Sequence, residues 1–240
     1  PRSTLFPYTT LFRSGETVKS IPVDVPDPQN HDLLRVSLLD PVNGELTGGT
    51  SHYFMPAGDP GGPGAAQLIA RGAVWKYHDQ GIDLGAAWRE PGFNDSAWSA
   101  GPAELGAGDG GEPTEINIGP SGARFPTVYF RRTINIPEPA RIAGLSFGLR
   151  RDDGAVIYLN GSEVHRDSNV PAGATYSTYA TGLTPSETAY QPIAASASHL
   201  VAGANVIAVE LHQESATSSD LSFDLDLSAE IGRASCRERV

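Results

Sequence analysis

The chain has 240 residues, with 17 Lys and Arg against 28 Asp and Glu, a formal net charge of −11, 27 Gly and 19 Pro. Only Lys19 and Lys76 are lysines, so no basic stripe exists to neutralise phosphates, and binding to nucleic acid or to an anionic lipid surface is disfavoured. A single cysteine, Cys236, excludes internal disulfides and thiolate zinc centres, and no apolar run approaches the roughly 18 residues of a membrane-spanning helix.

The first stretch, "TLFPYTTLFRS" from Thr4 to Ser14, places Leu5, Phe6, Leu11 and Phe12 around Pro7, Tyr8, Thr9 and Thr10, an interruption that a secretory signal does not tolerate. One DNA string encodes this stretch, and its reverse complement, read in a shifted frame, gives Ile231 to Val240. Two protein ends do not become reverse complements through selection on structure, and the string resembles a common sequencing-library adapter. Residues 1–14 and 230–240 are therefore expected to be translated adapter, and 15–229 to be a window on a longer protein. Within that window 12 basic and 26 acidic side chains remain, a net charge of −14, and no cysteine. Such a composition is compatible with a secreted bacterial protein that relies on a core rather than on covalent staples.

Residues 15–57 contain "TVKSIPVDV" and "LLRVSLLDPVNGELTGG", both strand-like, the second closing at Pro-Val-Asn-Gly. About forty residues hardly make a sandwich alone, so they are expected to be the last strands of a preceding β module. "GDPGGPGAA" follows, and 58–70 is expected to be a Gly/Pro linker. Residues 71–229 are then one domain of about 160 residues, long enough for its own core.

Short alternating runs between Gly and Pro in this domain predict an all-β fold. "AVWKYH" begins a strand at Ala73. "TVYFRRTINI" places Val128, Phe130, Ile134 and Ile136 in phase, with Arg132 breaking it. In "LSFGLR", Leu145, Phe147 and Leu149 alternate with polar or small residues. "AVIYLNGSEVHR" carries Asn160-Gly161, a hairpin signal because both residues accept positive φ. "NVIAVELHQ" reads as a more buried strand. "DLSFDLDLS" closes the fold with Leu221, Phe223, Leu225 and Leu227 inward, and Ser222, Asp224, Asp226 and Ser228 toward water. Helix is minor, with single turns expected at "DSAW" and "SHLVAG".

Four blocks in order, "AWREPGFNDSAWSAGPAELGAGDG", "TVYFRRTINI", "LRRDDGAVIYLNGSEVHR" and "GANVIAVELHQESATSSDLSFDLDL", resemble the galactose-binding-like jelly-roll module of large secreted bacterial proteins. The resemblance covers about Val74 to Leu227, and it implies a jelly-roll β-sandwich with an accessory role beside catalytic or adhesive domains. A structural calcium ion is compatible with such a fold, and no other cofactor is implied. Ala107 stands where the family often carries an aromatic residue, which weakens any sugar-stacking argument. "LLRVSLLDPVNGELTGG" is weakly similar to the closing hairpin of Calx-beta domains, without their acidic calcium ligands.

Asp152, Asp153, Glu210, His212 and Asp220 are the candidate ligand-binding set. Glu210 and His212 share one face of a strand, and carboxylates with an imidazole can hold a cation, grip sugar hydroxyls or exchange protons. The competing reading makes Asp152-Asp153-Gly154 a turn and pairs Glu210 and His212 with Arg131, Arg132 or Arg151. "GAGDGG", Gly106 to Gly111, matches G-x-G-x-x-G literally, but Glu112-Pro113 follows it where a dinucleotide fingerprint needs a helix. No G-x-S-x-G elbow, H-E-x-x-H pair or dense His/Asp cluster is present, and His52, His78, His165 and His199 are scattered. Trp75 and Trp98 are expected in cores, Trp98 beside Phe93, while Trp88 is open to core or binding. Tyr176, Tyr179 and Tyr190 lie in a loop-rich stretch suited to contacts with a partner. Asn94 and Asn160 satisfy N-x-[ST].

The expected function is a non-catalytic accessory domain of a secreted or cell-surface bacterial protein, binding carbohydrate or another extracellular partner. Its rivals are a purely structural spacer and, with less support, a hydrolase fragment.

Overall fold

The computed structural model describes residues 34–37, 51–54, 65–184 and 186–231. The chain divides into two units, Pro1–Gly58 and Asp59–Val240. Leu5, Phe6, Leu11, Phe12, "TVKSIPVDV", the Pro-Val-Asn-Gly turn and most of the glycine-proline stretch lie outside the described residues. In the first unit β1 (Leu34–Ser37) pairs antiparallel with β2 (Ser51–Phe54), Leu34 opposite Phe54 and Ser37 opposite Ser51.

The second unit is an all-β sandwich. Its strands are β3 (Ala65–Ile69), β4 (Val74–His78), β5 (Ser99–Pro102), β6 (Leu105–Ala107), β7 (Thr114–Glu115), β8 (Thr127–Ile136), β9 (Ile142–Asp152), β10 (Gly154–Leu159), β11 (Ser162–Arg166), β12 (Gln191–Ala195), β13 (Gly203–His212) and β14 (Leu221–Ile231). One sheet runs β11-β10-β13-β8-β4-β5 and the other β12-β9-β14-β6-β7, with β3 added against the second half of β14. The only helical pieces among the described residues are three short 3-10 turns, at Ala87–Arg89, Pro139–Arg141 and Ala197–His199.

Alternation builds the core. Phe147 and Leu149 of β9, Leu221, Phe223, Leu225 and Leu227 of β14, and Val128 and Phe130 of β8 are all buried between the sheets. Phe223 joins the layers: its ring stacks on Phe130 at 4.1 Å and 21°, and meets Trp75 of β4 edge-on at 5.2 Å and 80°. Asn160 (φ 51) and Gly161 (φ 84) close the β10–β11 hairpin, as their tolerance of positive φ predicts. The Asn160 side chain also receives the N–H of Val206 and donates to the carbonyl of His199, tying the hairpin tip to β13.

β13 is buried on both faces, and this reveals a second apolar layer. Trp88, Tyr129, Val156, Tyr158, Val170, Val206 and Ala208 form a separate cluster on the outside of the first sheet, flanked by Leu84, Phe93, Trp98 and Tyr176. Trp88, left open by the sequence, is a core residue of this layer, 4.6 Å from Tyr129 and 5.9 Å from Tyr158. Trp98 packs beside Phe93 as expected, with ring centroids 5.9 Å apart.

Several expectations are corrected. The linker expected over 58–70 contains β3, whose Ile69 enters the core, because backbone pairing along the open edge of β14 accepts residues from a Gly/Pro-rich neighbourhood. β14 runs on to Glu230 and Ile231, two residues past the expected boundary, and Ile231 packs against the core. Ser222 and Asp224, expected in water, are buried, because segments outside β14 cover this face: Asp224 accepts the N–H of Gly72 at 2.9 Å and the hydroxyl of Tyr190 at 2.5 Å.

Candidate functional site

The five candidate residues fall into two separate places. Asp152 ends β9 in one sheet and Gly154 begins β10 in the other, so Asp153 is the single residue at which the chain crosses between layers. The expected turn is therefore a corner between sheets. It sets Asp152 and Asp153 against the loop that joins β13 to β14. With Glu214, Thr217, Ser218, Ser219 and Asp220 of that loop, and Leu183 and Glu187 of the loop before β12, they line a cleft of about 300 Å³.

Asp152 and Asp153 are 3% and 1% exposed, whereas Asp220 is half-buried. Asp153 accepts the N–H of Glu214 through Oδ2 at 2.7 Å, and its Oδ1 is buried without a hydrogen-bond partner among the described residues. Burial, the hydrogen bond with Asp153 and the charges of Asp153, Asp220 and Glu187 raise the Asp152 pKa far above the usual carboxylate range. Burial also raises Asp153. Asp109, from the glycine-rich loop after β6, is raised by burial and by its hydrogen bond with Asp220.

Glu210 and His212 face the outer apolar layer instead. Glu210 lies opposite Tyr129 of β8 and Val156 of β10, and its Oε1 accepts the Tyr158 hydroxyl at 2.8 Å. His212 is fully buried; its Nδ1 stands 2.7 Å from the Thr178 carbonyl and 3.1 Å from Thr127 Oγ1. A carbonyl only accepts, so Nδ1 carries a proton. Nε2 lies 3.7 Å from Glu210 Oε1. The arginines expected to pair with these groups are engaged elsewhere. Arg131 donates to Asp95 and to the Trp88 carbonyl, Arg132 to the Val74 carbonyl, and Arg151 to Asp167 in a bidentate pair with both distances 2.7 Å.

Each of the three loop tyrosines also has a partner within the domain. Tyr176 stacks on Tyr129 at 6.4 Å, Tyr179 donates to the Arg124 carbonyl at 3.1 Å, and Tyr190 donates to Asp224 beneath the guanidinium of Arg71. The "GAGDGG" loop closes on itself, Glu112 accepting the N–H groups of Asp109 and Gly110. Asn94 accepts the N–H of Ser96 in a local turn. Glu187, Glu214 and the hydroxyls of 217–219 escaped sequence reasoning. The polar run "ESATSSD" directly after a buried strand was the signal that could have found them.

Chemically, the cleft offers only oxygen donors and one aliphatic side chain, with no lysine, arginine or histidine in its walls. Among the described residues no three acidic, histidine or cysteine side chains meet closely enough to form a metal centre as they stand. No described helix is long and apolar enough to cross a membrane.

No family model matches the chain, and no curated protein matches it. Solved structures similar to part of it include a Bacteroides uniformis beta-glucuronidase 2 (16% identity, TM-score 0.45, 69% of this chain and 18% of that one). A beta-glucuronidase of an uncultured Clostridium sp. is similar at 15% identity and TM-score 0.43, over 82% of this chain and 31% of that one. A Bifidobacterium dentium beta-glucuronidase is similar at 14% identity and TM-score 0.46, over 70% of this chain and 30% of that one. The matched region thus spans less than a third of each of those proteins.

Proposed function

We propose that this chain is a non-catalytic accessory domain, a galactose-binding-like jelly roll from a longer secreted or cell-surface bacterial protein, that docks its parent on polysaccharide or another extracellular partner. The observation that carries the non-catalytic part is the separation of the candidate groups. The imidazole that could exchange protons is sealed in the outer apolar layer, while the open cleft holds carboxylates and hydroxyls with no imidazole beside them. General acid–base catalysis by a carboxylate and an imidazole together needs both within reach of one bound substrate, and their separation supports the non-catalytic reading.

Oxygen-rich walls, with Leu183 at the margin, suit the hydroxyls and apolar face of a sugar, and loops over a rigid sandwich are the usual seat of recognition. Isothermal titration of the full chain against a panel of polysaccharides and oligosaccharides tests the reading. Saturable binding lost in Asp220→Ala is the expected result. No heat with any glycan at millimolar concentration would reject lectin-like binding. Release of reducing sugar that depends on Glu210 or His212 would reject the non-catalytic assignment.

A structural spacer is the second reading. It is favoured by the packing of Trp88, Tyr158 and Tyr176 over the outer face, which leaves that surface of the sheet closed. It expects Glu210→Ala and His212→Ala to lower the melting temperature without changing any interaction.

A further inference from the structure

The ladder between β8 and β13 continues past the ends of both strands. Gln213 donates its N–H to the Pro126 carbonyl at 3.0 Å, and Arg124 donates its own to the Ala216 carbonyl at 3.1 Å. Between these two bonds the backbone has no donor left for the β13–β14 loop. Pro126 lacks an N–H, and Phe125 spends its N–H on the Ile118 carbonyl at 2.9 Å. That loop nevertheless carries Glu214, Thr217, Ser218, Ser219 and Asp220, one wall of the cleft at the β9–β10 corner. The Arg124 side chain supplies the missing donors. Its Nε reaches the Ser218 carbonyl at 2.9 Å and its Nη2 that of Ser219 at 3.2 Å, while Nη1 reaches the Gly119 carbonyl at 2.6 Å. The Arg124 carbonyl in turn accepts the Tyr179 hydroxyl at 3.1 Å. One half-buried arginine joins the approach to β8, the β13–β14 loop and the long loop before β12.

We infer that Arg124 is the positioning residue of this cleft, holding the Glu214–Asp220 wall in its binding shape from behind without touching a ligand itself. The inference rests on reading the cleft as the docking site. Arg124 is not among the residues that line the cleft, so its effect runs through the loop. Its acceptors are main-chain oxygens, and among the described residues none of its bonds goes to a carboxylate. It therefore fixes the backbone and leaves the acidic side chains of the wall unengaged by its charge. Geometry, more than charge, sets this role. Nε and the neighbouring Nη2 act as one planar fork on the successive carbonyls of Ser218 and Ser219, with Nη1 on a separate loop. A lysine ammonium keeps the charge but lacks the fork. Beyond the fork, the N–H groups of Thr217 and Ser218 rely on the loop's own turn, bonded to the side chain and carbonyl of Ser215 at 3.2 and 3.3 Å. A recognition wall left to such local bonds has to be ordered when the ligand arrives, and that ordering subtracts from affinity.

The test compares the full chain with Arg124→Met and Arg124→Lys by residue-resolved amide hydrogen exchange at neutral pH, and by calorimetric titration with the same panel of polysaccharides and oligosaccharides. In both variants the hydrogen-bonded amides of Glu214, Thr217 and Ser218 should exchange about tenfold faster or more, with those of β8, β13 and β14 unchanged. Binding of any glycan that the parent holds should weaken by about tenfold or more in both variants. Parent-like exchange in the loop of Arg124→Met would overturn the inference. So would parent-like binding by Arg124→Lys, which would make the charge and not the fork the operative property. Faster exchange throughout the sandwich would assign Arg124 a general structural role and overturn it as well. A parent that binds no glycan defeats the sugar-docking reading by itself, and the exchange measurement, which needs no sugar, still decides whether Arg124 holds the wall.

Discussion

Arg151 and Asp167 form a buried bidentate ion pair, Nε to Oδ2 and Nη2 to Oδ1 both at 2.7 Å, in which the β9 arginine reaches the residue that follows β11. Asp167 also accepts the N–H of Ala155 at 2.8 Å, so one carboxylate fastens both sides of the sheet crossing. Replacing it with Ala strands a buried guanidinium and is expected to cost about 3–5 kcal/mol, read by urea denaturation at neutral pH.

The same pair sets an acid limit. Burial alone would raise the Asp167 pKa, but bonds from His165, Arg151 and the Ala155 N–H outweigh it and hold it below the usual value. A folded pKa below the unfolded one gives stability that is complete above about pH 4 and is lost as pH falls through the folded value. The stability difference between the parent and Asp167→Asn should therefore shrink on acidification below about pH 4, measured by denaturant titration across that range.

Asp152 has the opposite sign. Burial, together with the Asp153 hydrogen bond and neighbouring negative charge, raises its folded pKa, so stability is complete below about pH 4 and is lost as pH rises toward the folded value. Asp152→Asn should therefore be more stable than the parent at alkaline pH. The advantage should vanish in acid. Melting temperatures at several pH values check both limbs.

Phe223 bridges the two layers of the core, touching Phe130 and Trp75 from the opposite sheet. Phe223→Ala is expected to lower stability by about 3–5 kcal/mol. Phe223→Leu should cost less, since it keeps most of the volume. Chemical denaturation with near-ultraviolet circular dichroism would register both the loss and the altered Trp75 environment.

Tyr158→Phe removes the hydroxyl that Glu210 accepts in a nearly sealed site. The cost should be about 1–3 kcal/mol, with the fold kept. Burial raises the Tyr158 pKa well beyond that of a free phenol, followed by the charge and hydrogen bond of Glu210. Its phenol should therefore stay un-ionised in an alkaline absorbance titration until the fold is lost.

Much of the fold was legible because strand periodicity is local. "TVYFRRTINI" matches the limits of β8, and Asn160-Gly161 closes the hairpin it announced. The alternation in "DLSFDLDLS" located the inward leucines, yet it misassigned Asp224. Whether the second face of a strand meets water depends on which distant segments cover it, here Gly72 and Tyr190. Tyr176, Tyr179 and Tyr190 show the same dependence on distant segments, since their polar loop folds back on its own domain.

The candidate site was half legible. Chemistry singled out Asp152, Asp153 and Asp220, and the structure gathers those three around one cleft. Glu210 and His212 belong to a different face. Their i, i+2 spacing guarantees that they share a side of β13, but it carries no information about what lies opposite that side.

The amino-acid sequence by itself determined the strands, their inward sides and the hairpin, because those follow from a two-residue period and from backbone tolerance of positive φ. Only the tertiary structure decided that β9 and β10 belong to different sheets, that Arg151 answers Asp167, and that Asp152, Asp153 and Asp220 line one cleft. Pairing and burial are properties of residues far apart along the chain, and no local pattern encodes the distance at which they come together.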